Sequence, residues 1–453
     1  MTTTNHQDNL VFSNDFCSGK DLRLIEGAPI TDFSAIISAD VTAEQKEKGN
    51  AFAREMAEQF ISDFEKTEAL VLAGKTDAAD RMVHVSTFTV INDMLYMTYY
   101  ANTKEPSEDP TNQTARFVYC PVNDLSNKTF LDIQTIGDSF SGKQINMVYD
   151  TILMPKDDDT LYIMWTARVE ENYYRFYRPF TISTQTLGEV RVNRFKVGEI
   201  TNDFSVSGIK SALAANGLGC KTMYSDIGIM QKLSSRMENG ERYYYSGAYS
   251  GDFNCIIKSK DLVTWEYVAS PDFINQSKWE NAVYVIDDKC FYFVRQHDTS
   301  KYGFLTYYDL IEQKWETPVL VEDCQSRSDF IVYEGELYLF HAPIDRDHIG
   351  IIRIDREQLA KSEVILQADM KEWISCTQQA NANKDTVWSE GADGNIQTDA
   401  KTAVNSVTWQ IGAGGLCFYP FIQYYRNGEL AMSYTIARKH IRLSGFTLRN
   451  YLD

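Results

Sequence analysis

Apolar positions along this chain come in short runs, and one phrase returns six times: an apolar run, a polar turn, and a second run rich in aromatic residues. "VHVSTFTVINDMLYMTYYAN" covers 83–102, "YDTILMPKDDDTLYIMWTAR" covers 149–168 and "YSDIGIMQKLSSRMENGERYYYSGAYS" covers 224–250. "WENAVYVIDDKCFYFVRQHD" begins at Trp279, "SRSDFIVYEGELYLFHAPIDR" covers 326–346 and "YPFIQYYRNGELAMSYTIAR" covers 419–438. Each phrase predicts a β-hairpin. Both strands of each are apolar on both faces, which suits a small sheet held between two like sheets.

Radial stacking of four-stranded sheets gives every sheet two such neighbours and leaves few exposed edges. The predicted fold class is therefore all-β, a six-bladed β-propeller, with a seventh blade if 190–215 or 365–415 hides one. A β-sandwich is the competing architecture. The propeller is assigned residues 81–453, and residues 1–80 form an N-terminal extension. Within that extension Phe52, Met56, Phe60 and Phe64 recur at helical spacing, which predicts one peripheral helix over 42–70. The C-terminal strand "HIRLSGFTL" is expected to pair with residues near "LRLIEG" and so remove the last open edge.

Composition narrows the function. Twenty-seven Tyr and 24 Phe favour strands, and a net charge of −19 opposes binding to nucleic acid or to an anionic membrane. The eight Cys form no CxxC or Cys/His cluster, so no zinc site is expected and the thiols read as reduced small hydrophobes. No phosphate-binding, dinucleotide or metal motif is present, and no cofactor is expected. The start of the chain has no cationic segment followed by an apolar core. A cytoplasmic location is the expectation, with a secreted form whose leader has been removed as the alternative.

In a propeller, the starts of the innermost strands and the ends of the strands that return beside them surround one mouth, and function is grafted there. The expected starts are His84, Asp150, Asp226, Glu280, Asp329 and Tyr419. The returning ends are Asn102, Arg168, Tyr249, Arg295 with His297, His341 and Arg438, and Arg327 precedes the fifth inner strand. Guanidiniums converging from Arg168, Arg295, Arg327 and Arg438 suit a planar carboxylate, which Lys holds less well.

Asp150, Asp226, Glu280 and Asp329 are candidates for the carboxyl pair that glycosidic cleavage needs. Glu280, fifteen residues before Arg295 across one hairpin, is the preferred acid/base. His84 or His297 beside a Tyr equips the same rim for β-elimination on a uronate. Each residue also has a plainer fate: an Asp caps a strand start, a His packs in the core, an Arg pairs with a neighbouring acid.

"KSKDLVTWE" (258–266) places Ser259, Asp261, Thr264 and Trp265 in the order of an Asp-box turn, in which an Asp caps its own backbone and a Trp packs between strands. Here the chain resembles the sialidase-like, BNR-repeat propellers. That resemblance implies a carbohydrate-active enzyme whose Arg residues hold a sugar carboxylate and whose nucleophile is a Tyr activated by a Glu; Tyr419 and Tyr434 fit that role beside Glu280.

The expected function is a glycoside hydrolase acting on an acidic sugar, sialic or uronic. A His/Tyr uronate lyase is the alternative. A non-catalytic glycan-binding propeller, with Trp165 and Tyr249 as aromatic platforms, is a further one, and a protein-interaction propeller is the last. The expected partner is a carbohydrate ligand.

Overall fold

The structure is a computed structural model that describes residues 33–218, 227–250, 253–271, 277–296, 302–324, 326–342, 348–369, 388–390, 396–398, 417–426, 428–436 and 438–452. Each of the six repeated phrases holds strands on both sides of its turn. Turn chemistry explains the registers. Asn92 with Asp93, Asn239 with Gly240, and Glu334 with Gly335 all take left-handed backbone in consecutive pairs, with φ between 50° and 85°. That is the two-residue connection whose twist matches the strands it joins.

In chain order the principal elements are α1 (Ala43–Glu58), β1 (Phe60–Asp63), β2 (Met82–Ile91), β3 (Met94–Asn102), β4 (Thr114–Pro121), β5 (Thr129–Thr135), β6 (Lys143–Pro155), β7 (Thr160–Val169) and β8 (Asn172–Thr181). They continue with β9 (Glu241–Ser250), β10 (Phe253–Ser259), β11 (Thr264–Ala269), β12 (Ser277–Ile286), β13 (Lys289–Gln296) and β14 (Tyr302–Asp309). The last are β15 (Asp329–Tyr333), β16 (Glu336–His341), β17 (His348–Ile354), β18 (Glu363–Asp369), β19 (Cys417–Tyr424), β20 (Leu430–Ile436) and β21 (His440–Phe446). The chain is mostly β, and its sheets are arranged as a β-propeller. Six sheets of four or more strands are present among the described residues.

Two compact units interleave along the sequence. The first holds Ile37–Ile136, Val148–Leu153 and Glu322–Asp453. Its sheets run β2-β3-β4-β5, β15-β16-β17-β18 and β1-β21-β20-β19. One core gathers Phe52 and Met56 of α1 with Phe340, Ile351, Met432 and Phe446. The second unit holds Gly137–Met147 and Met154–Val321. Its β9–β11 and β12–β14 meanders pack Tyr245, Ile256, Val283 and Tyr292 together.

Several expectations change here. The predicted helix over 42–70 stops at Glu58. Thr42 and Gln45 start it with a reciprocal capping box, and Phe52 and Met56 are fully buried, each worth about 1.5–3 kcal/mol. Phe60 instead opens β1, because "FISD" finds a partner strand in β21: Phe60 faces Ser444 and Asp63 faces Arg442. Long-range pairing overrides the helical spacing. Among the described residues the C-terminal strand pairs with Phe60–Asp63 on the side away from β20; "LRLIEG" lies outside the described residues.

Within the N-terminal extension β1 joins the sheet of β19–β21 as an added strand. Segment 190–215 adds no separate blade. Its strand Arg194–Val197 lies parallel to β11 in an existing sheet, and Val206–Ala215 is helical.

The turn at 258–266 has the expected geometry. Asp261 Oδ1 accepts from the Val263 and Thr264 amides at 2.8 and 2.7 Å, and the Trp265 side chain is fully buried. Cys120, Cys255, Cys290 and Cys324 are free and buried, and burial holds the Cys120 thiol up at about 11. Among the described residues no helix is long and apolar enough to cross a membrane.

Candidate active site

Backbone irregularity marks the site before any side chain does. In the first unit the register of β2 against β3 slips between His84 and Thr87, and that of β19 against β20 slips between Phe418 and Phe421. Val85 and Tyr419 in these bulges take φ of 53° and 54°. Asp150 in β6 has φ 51°, and Arg438, just after β20, has φ 53°. A left-handed β-branched residue such as Val85 is a true outlier, and strain of this kind persists only where the surroundings enforce it. Bulges re-aim side chains. Here the bulges shift the register beside His84 and Tyr419, and left-handed backbone redirects the chain at Asp150 and Arg438.

These side chains meet. The His84 ring stacks on Tyr419 with centroids 4.5 Å apart, and it meets Tyr100 edge-on at 5.7 Å. The Arg327 guanidinium lies 4.7 Å from the centre of the Tyr419 ring, and its Nη2 is 2.8 Å from Asp150 Oδ1. On the other side of Tyr100, its hydroxyl donates to Glu108 Oε1 at 2.5 Å, while Glu108 Oε2 is 2.8 Å from Arg438 Nε. Met82, Val85, Tyr100, Tyr149 and Tyr419 supply the apolar wall between the two ion pairs.

Burial is graded across this cluster. His84, Asp150 and Arg327 are buried, Tyr419 is half-buried, and the Glu108 side chain is 30% exposed. The Arg327–Asp150 pair is the buried end of the cluster, and Glu108 is its accessible carboxylate. Burial, reinforced by the adjacent Glu108 charge, pushes the Tyr100 phenol well above its usual value, so Tyr100 stays protonated at neutral pH. Arg327 and Asp150 neutralise one another inside low-dielectric surroundings, where a lone charge would be costly.

Of the residues expected from sequence, the first unit therefore brings together His84, Asp150, Tyr419, Arg327 and Arg438. Reasoning from strand ends missed Tyr100 and Glu108. Glu108 sits in the "NTKEPSEDP" loop after β3. The available signal was an acid in a loop that leaves the returning strand, immediately beside a Tyr-Tyr pair.

Other expected residues are employed elsewhere. In the second unit Glu280 and Arg295 form a buried ion pair across the β12–β13 hairpin. Arg168 donates from Nε to Asn146 Oδ1 at 2.7 Å and lies against the Tyr173 ring. Arg168 and Arg295 thus belong to the second unit and Arg438 to the first, where its companion is Arg327.

Trp165 is fully buried and stacked on Phe176, and Tyr249 is buried too. Neither ring offers a face to a sugar, because both fill the interior of their sheets. Asp329 is fully buried and accepts from the Ile422 amide of β19 at 2.8 Å, a bond between strands rather than a cap on its own strand. Tyr434 is buried with its hydroxyl 3.2 Å from Ser444 Oγ. His341 is buried against Gly350, and desolvation, followed by the nearby His348, pushes it down to about 3. Asp226 and His297 lie outside the described residues.

Among the described residues, Asp63, Glu65 and His440 have donor atoms close enough to hold a metal ion, within 4.8 Å of one another. His440 Nδ1 is 2.8 Å from Glu65 Oε1, and Arg442 Nε is 3.2 Å from Asp63 Oδ1. With Arg442 supplying the countercharge, these four form cross-strand pairs between β1 and β21 and their flanks.

No family model and no curated protein matches the sequence. Among solved structures, Trypanosoma rangeli sialidase in complex with sialic acid is similar at 11% identity and a TM-score of 0.47; the match covers 91% of this chain and 59% of that one. A Hadza microbial sialidase is similar at 10% identity and a TM-score of 0.47, over 82% of this chain and 66% of its own. A glycosyl hydrolase from Bacteroides ovatus is similar at 11% identity and a TM-score of 0.37, over 63% and 87%. The chain thus spans well under two thirds of the T. rangeli enzyme. Likeness at this level carries no assignment of substrate.

Proposed function

We propose that the first unit carries the active site of a glycoside hydrolase acting on an acidic sugar. The observation that carries this reading is the adjacency, through Tyr100, of an Arg-braced tyrosine and an accessible, Arg-paired carboxyl group. Arg438 and Arg327 offer guanidiniums for the sugar carboxylate and for developing negative charge. Glu108 protonates the leaving oxygen. Tyr419 gives its phenolic proton to solvent and attacks the anomeric carbon as the glycosidic bond breaks, its phenolate stabilised by the guanidinium above its ring, and water then cleaves the glycosyl–Tyr419 bond; tyrosine nucleophiles are an attested departure from the two-carboxylate scheme.

The test is a panel of aryl glycosides of neuraminic and uronic acids, with good and poor leaving groups. Glu108→Gln should lose turnover by about 10²-fold or more on poor leaving groups, and far less where departure needs no proton. Equal losses on both would remove Glu108 from the acid role.

The His84–Tyr419 stack favours a second reading, in which His84 or Tyr419 removes the C5 proton of a uronate and Arg327 or Arg438 lowers the charge on its carboxylate. A product carrying the ultraviolet absorbance of a conjugated C4–C5 double bond would select it. A hydrated product with a free reducing end selects hydrolysis.

A further inference from the structure

Glu108 stands apart from the other acid of the site. Asp150 is buried in its pair with Arg327, whereas the Glu108 side chain is 30% exposed. Its loop is pinned on either side. Asn102 Oδ1 accepts from the Lys104 and Glu105 amides at 2.9 and 3.0 Å, and its Nδ2 donates to the Ser107 carbonyl at 3.0 Å. On the far side Asp109 caps the short turn at Pro110–Asn112. Glu108 lies between two fixed points, so rotation about its own side-chain bonds releases Arg438 without moving the loop.

The charges give that rotation a consequence. The cluster holds two cations, Arg327 and Arg438, and two anions, Asp150 and Glu108. The groups that face Glu108 are Tyr100 of β3 and Arg438 after β20, and its own loop carries the charged residues Lys104, Glu105 and Asp109. Tyr419 of β19 and His84 of β2 lie beyond Tyr100. With Glu108 ionised the two pairs sum to zero. An arriving carboxylate leaves one negative charge too many in a partly desolvated site, a cost that neutralising one group removes.

We propose that Glu108 is the resident occupant of the substrate's anion subsite: a sugar carboxylate displaces it from Arg438, and Glu108 takes up one proton as it is displaced. This rests on the reading of the site as one for acidic sugars, and it deepens that reading. The ligand class is a pyranose carboxylate. Binding it arms the general acid, because the proton that cleavage requires arrives on Glu108 only when the anion subsite is filled from outside. Neutral sugars leave the Glu108–Arg438 pair closed and the acid unprotonated.

The experiment is calorimetric titration of the full chain with free N-acetylneuraminate and with glucuronate, using their methyl esters as neutral controls. It is run at one pH in two buffers of different ionisation enthalpy, then repeated across pH. The wild type should take up close to one proton per acidic ligand. Its affinity for the acids should fall about tenfold per pH unit wherever uptake is close to one proton. Glu108→Gln should bind the acids without proton uptake, with a flat pH profile, and more tightly than the wild type at alkaline pH. Thermal melting confirms that the variant is folded, and the two-buffer comparison on the wild type decides the matter even if it is not. Binding of either acid without proton uptake, or a Gln variant that keeps the wild-type slope, overturns the inference while leaving the acidic-sugar reading intact. Binding of neither acid overturns the acidic-sugar reading itself.

Discussion

The guanidinium of Arg327 lies 4.7 Å from the centre of the Tyr419 ring while its Nη2 holds the Asp150 carboxylate at 2.8 Å. One planar cation thus bridges two residues that both have left-handed backbone, φ 51° at Asp150 and 54° at Tyr419. Strained positions bridged by one buried guanidinium form a rigid unit, and rigidity of this kind is what a catalytic group requires.

Arg327→Lys separates charge from geometry. Lysine keeps the positive charge but loses the flat fork and the stacking face. Turnover on an acidic aryl glycoside is expected to drop by about 10²-fold or more, with a small change in melting temperature because the charge opposite Asp150 remains. A variant with near-normal kcat/KM would show that Arg327 serves only to neutralise Asp150.

Tyr419→Phe removes one oxygen and leaves the ring between its neighbours. The stack on His84 and the cation contact both survive the change, so folding should be unaffected. Loss of turnover by about 10³-fold or more is expected if Tyr419 is the nucleophile. In that variant a glycosyl–protein adduct formed by a fluorinated substrate analogue in the wild type should vanish from the mass spectrum.

Glu280 and Arg295 present the opposite case, a buried pair in which each residue is engaged by the other. Glu280→Ala leaves an uncompensated buried cation and should cost about 3–5 kcal/mol in denaturant unfolding, whereas replacing both partners with apolar residues of similar volume should recover most of that. Glu280→Gln with full stability and at least a 10²-fold loss of kcat, on the order expected for a lost acid/base, would restore Glu280 as a catalytic group.

His341 makes a stability prediction. Burial holds its folded-state value at about 3, against 6.5 when unfolded. Between these values the unfolded chain binds a proton that the folded chain refuses, so stability rises with pH across that window. His341 therefore contributes fully above about pH 6.5, and its contribution declines as the solution is acidified toward about pH 3. His341→Asn should flatten the slope of unfolding free energy against pH in that interval. An unchanged slope would place the acid sensitivity in other groups.

What the sequence determined by itself is local. Alternating apolar runs broken by Asn-Asp, Asn-Gly and Glu-Gly pairs dictate hairpins, because those turns accept two left-handed residues in succession and the runs supply two buried faces. Asp261 and Trp265 announce their turn for the same reason: every interaction in it spans only a few residues. His84, Asp150, Arg327, Tyr419 and Arg438 were legible as candidates because strand ends are readable from such runs.

Tertiary structure decided the rest. Whether an Arg faces a substrate or a neighbouring acid depends on which chain segment lies opposite, and sequence spacing does not carry that. Arg295 found Glu280 within its own hairpin, while Arg438 found Glu108 from a loop more than three hundred residues away. Phe60 left its helical spacing because a strand near the C terminus offered hydrogen bonds that a helix end could not. Bulges at Val85 and Tyr419 likewise depend on the partner strand, since a register slip exists only between two strands.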